Sequence, residues 1–126
     1  MKKILYIVST LGRSEPTKQL LNIIKNLDHS KYQALVLTLS PEPSNSRFSE
    51  YINAGLRLEI LNMSRFQGLF SSKKKIEKII NDYKPDIIHT QGIRVDSLMS
   101  TIQPKPPWIK IVLVLFLLSN NFAIRV

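Results

Sequence analysis

The sequence predicts one α/β domain, a parallel sheet with helices on both faces, and three observations carry that prediction. Short apolar runs suited to buried strands alternate along the chain with segments whose apolar residues recur every three or four positions. Turn-forming residues separate the two kinds of segment. The 126 residues leave room for one sizeable core and no second one.

Residues 2–27 organise the rest. Five consecutive apolar residues, 4–8, follow Lys2 and Lys3 and give way to Ser9, Thr10, Leu11 and Gly12, as in a strand buried on both faces. Pro16 pre-sets a backbone angle suited to a first helical turn, and Leu20, Ile23, Ile24 and Leu27 recur at i, i+3, i+4 and i+7. A strand feeding a helix through a glycine-containing loop is the first half of a βαβ unit. Such a loop brings backbone N–H groups and a positive helix end to where an anion can sit.

Residues 28–32 are polar and turn-like, and 34–39 form a second buried strand. Two prolines at 41 and 43 stop it, after which Phe48, Tyr51 and Ile52 predict a short helix closing at Gly55. Leu56, Leu58 and Ile60 alternate with Arg57 and Glu59, the pattern of a strand with one wet face near the sheet edge. With Ser71 or Ser72 as cap, Ile76, Ile79, Ile80 and Tyr83 predict a helix ending before Pro85 with lysines on its outer face. A strand over 86–89, a loop over 90–92, a helix over 95–101, a proline-rich connection and a last strand over 108–118 complete the alternation.

Composition narrows the chemistry. Cysteine is absent, which removes disulfides, thiol nucleophiles and thiolate metal sites and fits a reducing cytosol. His29 and His89 are the only histidines, and His89 and Asp96 have no further clustered ligands, so no metal is expected. The formal charge of +9, with lysines at 73, 74, 75 and 78, favours anionic partners: phosphate-bearing ligands, an acidic lipid surface or nucleic acid. A plain solvated helix face accounts for the lysine cluster equally well. Residues 4–8 are too few for the ~7 to 15 of a signal peptide's apolar region. The run at 111–118 falls short of the ~18 expected of a membrane span. The expectation is a soluble, cytoplasmic chain, either free or in peripheral contact with the inner membrane face.

In an open α/β sheet ligands collect outside the carboxyl ends of the strands, so the loops after the first and fourth strands matter most. Gly12 lets backbone approach a ligand, and Arg13, Ser14 and Thr17 are candidate donors to an anion. An ordinary βα connection is the other reading. The second loop offers His89, Gln91, Gly92 and Arg94. A histidine there can act on a hydroxyl or bind a phosphate, or simply pack and hydrogen-bond. Gln91 and Gly92 also serve as turn residues, and Arg94 and Asp96 as surface charges. Neither G-x-x-x-x-G-K-[ST] nor G-x-G-x-x-G follows the first strand, which argues against a P-loop and against ordinary dinucleotide binding. Paired acids at the end of that strand, as phosphoacceptor domains require, are missing too. Aromatic residues are not interleaved with the basic ones, so nucleic acid is not an expected partner.

Taken in order, ILYIVSTLGR, QLLNIIKNL, ALVLTLS, AGLRLEIL and KPDIIHTQG resemble the N-terminal, Rossmann-like domain of family 4 glycosyltransferases of the GT-B fold, over about residues 1–100. The resemblance implies a retaining, metal-independent transfer of sugar from a nucleotide-sugar to a polysaccharide or lipid-linked acceptor, with this domain shaping the acceptor side. Gly12 matches the family's glycine-containing first loop and His89 its Asp-Ile-Ile-His strand end. A single glycine stands where members commonly carry two, and Gln91 where many carry a second histidine. The family's Thr-x-His strand has no counterpart in 109–126, which lacks histidine and acid altogether.

The expected organisation is therefore an acceptor-side domain over 1–108 and an apolar last strand and tail over 109–126, as in a truncated or frame-shifted product. Acceptor or phosphate binding is assigned to Gly12, Arg13, Ser14, Thr17, His89, Gln91, Gly92 and Arg94, and no residue is assigned a catalytic role. No cofactor is expected; a nucleotide-sugar donor belongs to a second, C-terminal domain, without which the chain should be inactive. The competing expectation is a non-catalytic Rossmann-like module that binds a protein partner or an anionic ligand.

Overall fold

A computed structural model describes residues 1–63, 69–102, 104 and 106–110, with backbone alone at 69, 70, 93, 94, 109 and 110. In chain order the elements are β1 (Lys2–Val8), α1 (Glu15–Lys25), β2 (Tyr32–Thr38), α2 (Phe48–Asn53), β3 (Arg57–Ile60), α3 (Leu69–Tyr83), β4 (Ile87–Gln91), α4 (Ile93–Ile102) and β5 (Trp108–Lys110). The strands form one parallel sheet in the order β3-β2-β1-β4-β5. The fold is Rossmann-like. From β1 the chain winds outward through β2 to β3, then returns past β1 to lay down β4 and β5. The direction of winding reverses between β1 and β4.

β1 lies in the middle because every residue from Ile4 to Val8 can be buried, whichever face it points to. Leu5 and Ile7 join Leu35, Leu37 and Ile88 under Ile76 and Ile80 of α3 and Val95 and Met99 of α4. Ile4, Tyr6 and Val8 point the other way, to Leu20 and Ile24 of α1 and Tyr51 of α2. Each such side chain contributes roughly 1.5–3 kcal/mol on leaving water. Two layers of helices thus cover the sheet, and β1 is shared by both cores. Tyr51 Oη also donates to the Thr17 carbonyl at 2.6 Å, tying α2 to α1. β3 is the edge strand its alternating pattern implied, with Leu58 against the α1 side and Arg57 and Glu59 exposed.

Four boundaries differ from expectation. β2 begins at Tyr32 because its first residues pair with Lys2 and Lys3 despite being only half-buried. α3 begins at Leu69, so neither Ser71 nor Ser72 caps it. Ser72 is buried on the stripe of Ile76 and Ile80, where a small side chain fits against the sheet. β4 continues through Thr90 and Gln91, expected in a loop, because they pair with Ile7 and Val8 of β1. α4 starts two residues earlier than its apolar pattern, straight after Gly92. The last strand is described over Trp108–Lys110; the remainder of the expected strand and tail, 111–126, lies outside the described residues. No described helix is long and apolar enough to cross a membrane.

Candidate functional site

The carboxyl ends of β1 and β4 are adjacent, with Val8 beside Gln91. The chain leaves them in opposite directions, β1 into α1 toward one layer and β4 into α4 toward the other. The divergence opens a shallow depression of about 420 Å³, lined among others by Gly12, Arg13, Ser14, Thr17, Gln91 and Gly92. Six of the eight residues singled out in the sequence therefore meet. His89 does not line it, and the side chain of Arg94 lies outside the described residues.

The first loop is held from outside. The Glu42 carboxylate, from the loop after β2, accepts the Leu11 N–H at 3.0 Å and the Ser46 hydroxyl. Arg47 N–H donates to the Leu11 carbonyl at 2.7 Å, and Gly12 forms an isolated antiparallel bridge with Ser46. The approach explains Gly12: a Cβ there would come within 3.3 Å of Thr10 Oγ1 and 3.5 Å of Pro43 Cγ.

The loop's own groups are largely engaged. Gly12 N–H donates to Thr10 Oγ1, and Ser14 N–H to Thr17 Oγ1 at 3.3 Å. The Thr17 hydroxyl donates to the Gly12 carbonyl at 2.7 Å. Arg13 pairs with Glu50 at 2.8 Å, and Arg47 reaches the same carboxylate at 3.1 Å. These two guanidiniums, Arg13 first, hold the Glu50 carboxyl below the usual carboxylate range. Side chains, more than a row of free amides, are thus what a ligand meets.

The second loop is a single residue. Gly92 has φ +112, a conformation that strains any residue with a Cβ, and it turns the chain at once from β4 into α4. Behind it the fully buried Thr90 hydroxyl donates to Asp96 and accepts the Trp108 indole N–H at 2.8 Å. Asp96 thus holds the start of α4 to the strand. In front, Gln91 is only 8% exposed and its Oε1 has no hydrogen-bond partner among the described residues. A buried, unpartnered amide oxygen costs about 1–3 kcal/mol, which a ligand hydroxyl or amine donating to it would recover.

His89 sits two residues before Gln91 on the same face, edge-on to Tyr6 with ring centroids 5.1 Å apart. Its Nδ1 has no partner among the described residues, and burial pushes its pKa down, so the ring is neutral near pH 7. Burial pushes Tyr6 up to about 12. No carboxylate or histidine lines the depression, so among the described residues it offers hydrogen bonding and one cation without an acid or base. No group of metal-binding side chains occurs among the described residues.

Sequence reasoning passed over Asn45, which lines the depression, and Glu42 and Ser46, which shape it. Their only signal was a proline-broken polar stretch that marks a loop and says nothing of what the loop touches.

The solved structures include two transferases that share this fold. A glycosyltransferase from Rickettsia africae ESF-5 superposes with TM-score 0.63 at 16% identity, covering 86% of this chain and 29% of that one. Phosphoribosylglycinamide formyltransferase from Brucella melitensis gives 0.58 at 13% identity, covering 86% of this chain and 55% of that one. The chain thus spans less than a third of the first protein and about half of the second. No protein-family model matches the sequence, and comparison with curated proteins finds no match. At these identities the likeness is one of fold.

Proposed function

We propose that the chain is the acceptor-side domain of a retaining glycosyltransferase, binding a sugar or a lipid-linked sugar at the depression between β1 and β4 and transferring nothing alone. The buried, unpartnered Gln91 Oε1 carries this reading. A neutral acceptor at a strand end, with Ser14 and Asn45 on the opposite rim, suits a ligand that presents hydroxyl donors. Among the described residues the lining holds no acid or base, which fits a half-site that orients an acceptor while chemistry and the nucleotide-sugar donor belong to a second domain. The structural likeness to one glycosyltransferase is consistent with the proposal at the level of fold. The charge of +9 suits an acceptor that carries phosphate or lies at an anionic membrane face.

The test uses methyl α-D-glucopyranoside, methyl α-D-mannopyranoside and N-acetylglucosamine as probes in saturation-transfer NMR. At least one should bind, with about tenfold loss in Gln91→Ala, the equivalent of about 1.4 kcal/mol. Gly12→Val, which pushes a side chain against Thr10 and Pro43, should weaken it too. No binding by any of the three, or binding indifferent to both substitutions, overturns the assignment. Sugar transfer should appear only when a donor-binding domain is supplied separately.

A further inference from the structure

A second cavity runs along the edge strand β3, between it and α3, on the other side of β1 from β4 and apart from the depression. Along the middle of β1, β2 and β4 the positions facing α3 include the buried apolar residues Leu5, Ile7, Leu35, Leu37 and Ile88, while Lys3 and Gln33 stand on the same face at the start of β1 and β2. On β3 the corresponding positions are Arg57 and Glu59, both exposed. The layer is therefore not filled there, and a groove of about 590 Å³ remains, within the range of small-molecule sites. Its apolar wall includes Leu35, Leu61 and Ile79.

Four cations, Lys3, Arg57, Lys75 and Lys78, line the groove against two carboxylates, Glu59 and Asp82. None of the four forms an ion pair among the described residues, whereas Lys73, one turn away, is paired with Glu77. Two of them are also held in place. Lys3 Nζ lies 5.4 Å from the Tyr83 ring centroid and donates to the Tyr83 carbonyl at 3.2 Å. The Arg57 guanidinium lies 5.9 Å from the same centroid. The ring is itself fixed, since its hydroxyl donates to the Gln33 carbonyl at 3.2 Å. The nearby Asp86 carboxylate accepts the Lys3 backbone N–H at 2.7 Å and forms no ion pair with either cation among the described residues, so the two positive groups about one anchored ring leave a charge that an anion would neutralise.

We infer that this groove binds a soluble organic phosphate monoester, its phosphate on Arg57, Lys3 and Lys78 and its organic body on Leu35, Leu61 and Ile79. A guanidinium with two ammonium groups suits a dianionic, multi-oxygen head, and the apolar wall gives an ester an advantage over the free ion. The site is independent of the depression at the carboxyl ends and of any activity located there.

Phenyl phosphate is the probe, followed by amide NMR shifts and calorimetry, with inorganic phosphate in parallel. Saturable shifts should map to residues 57–61 and 75–83, phenyl phosphate should bind at least fivefold tighter than inorganic phosphate, and Arg57→Ala/Lys78→Ala should weaken it at least tenfold. Lys73→Ala/Lys74→Ala, of equal charge loss outside the groove, should change binding less than twofold. Equal losses in the two double variants, equal affinity for both probes, or shifts confined to residues 10–17 overturn the inference. So does binding to phosphatidylglycerol vesicles without binding of phenyl phosphate, which makes the cations a membrane contact.

Discussion

The two loops that frame the depression are built on opposite plans. The loop between β1 and α1 depends on a distant stretch of chain: a carboxylate, a hydroxyl and an amide from residues 42–47 hold Leu11 and Gly12. The turn between β4 and α4 depends on what lies directly beneath it, where Thr90 joins Asp96 to Trp108. One side of the site is latched from outside and the other is rooted in the core. A ligand at Gln91 therefore meets a fixed wall on the β4 side and, on the other, a wall whose position depends on the loop after β2.

The largest test of that contrast is Thr90→Val. It keeps the shape but removes the hydroxyl between a half-buried carboxylate and an indole N–H, and it should cost about 3 kcal/mol of unfolding free energy in urea titration. A loss under ~1 kcal/mol would mean that the β4 side is not rooted as described. Glu42→Ala comes next, at about 2 kcal/mol, because it strands the N–H of the fully buried Leu11. Here the sharper readout is hydrogen exchange: protection should fall at Leu11 and Gly12 and stay unchanged at Thr90 and Gln91. Equal loss at both loops would merge the two into one unit. Gly92→Ala should cost about 1–2 kcal/mol through backbone strain alone, since no heavy atom lies within 4 Å of the added Cβ. Its effect on sugar binding should exceed its effect on the first loop's exchange rates.

The smallest effect is one of pH. Burial holds the folded pKa of His89 below 6.5, so below about pH 6.5 the unfolded chain takes up the proton more readily. Stability should fall as pH drops from 7.5 to 5.5, and His89→Phe should flatten that dependence. The depressed Glu50 carboxyl acts lower, its contribution being present above its ordinary 4.5 and lost as pH falls through the folded value. An unchanged slope in His89→Phe would place the acid sensitivity elsewhere.

The same contrast marks what could be read from the sequence. The β4 side was largely legible because its parts are local: Ile87, Ile88, His89 and Gly92 announce a strand end and a turn within six residues. Even there Thr90 and Gln91 looked like loop, since polarity hides a strand whose hydroxyl is satisfied by a helix six residues on. The edge position of β3 was legible too, because Leu56, Leu58 and Ile60 alternate with Arg57 and Glu59. The latch was not. Leu11 and Glu42 are 31 positions apart, and nothing in a proline-rich polar stretch encodes the partner of a carboxylate. The start of α3 was missed for a related reason: Ser72 resembles a cap by composition, and only the packing of Ile76 and Ile80 places it inside a helix.

The central place of β1 has a consequence for how the chain is made. Lys2 pairs with Tyr32, but Ile4 also pairs with Ile87, so the first strand synthesised waits for its second neighbour until most of the domain has left the ribosome. At ordinary translation rates that interval lasts roughly 3 to 11 seconds. For that time a strand apolar on both faces has one unpaired edge, the geometry most prone to recruit another nascent chain. Slowing elongation between codons 32 and 87 should therefore lower soluble yield more than slowing it after codon 91.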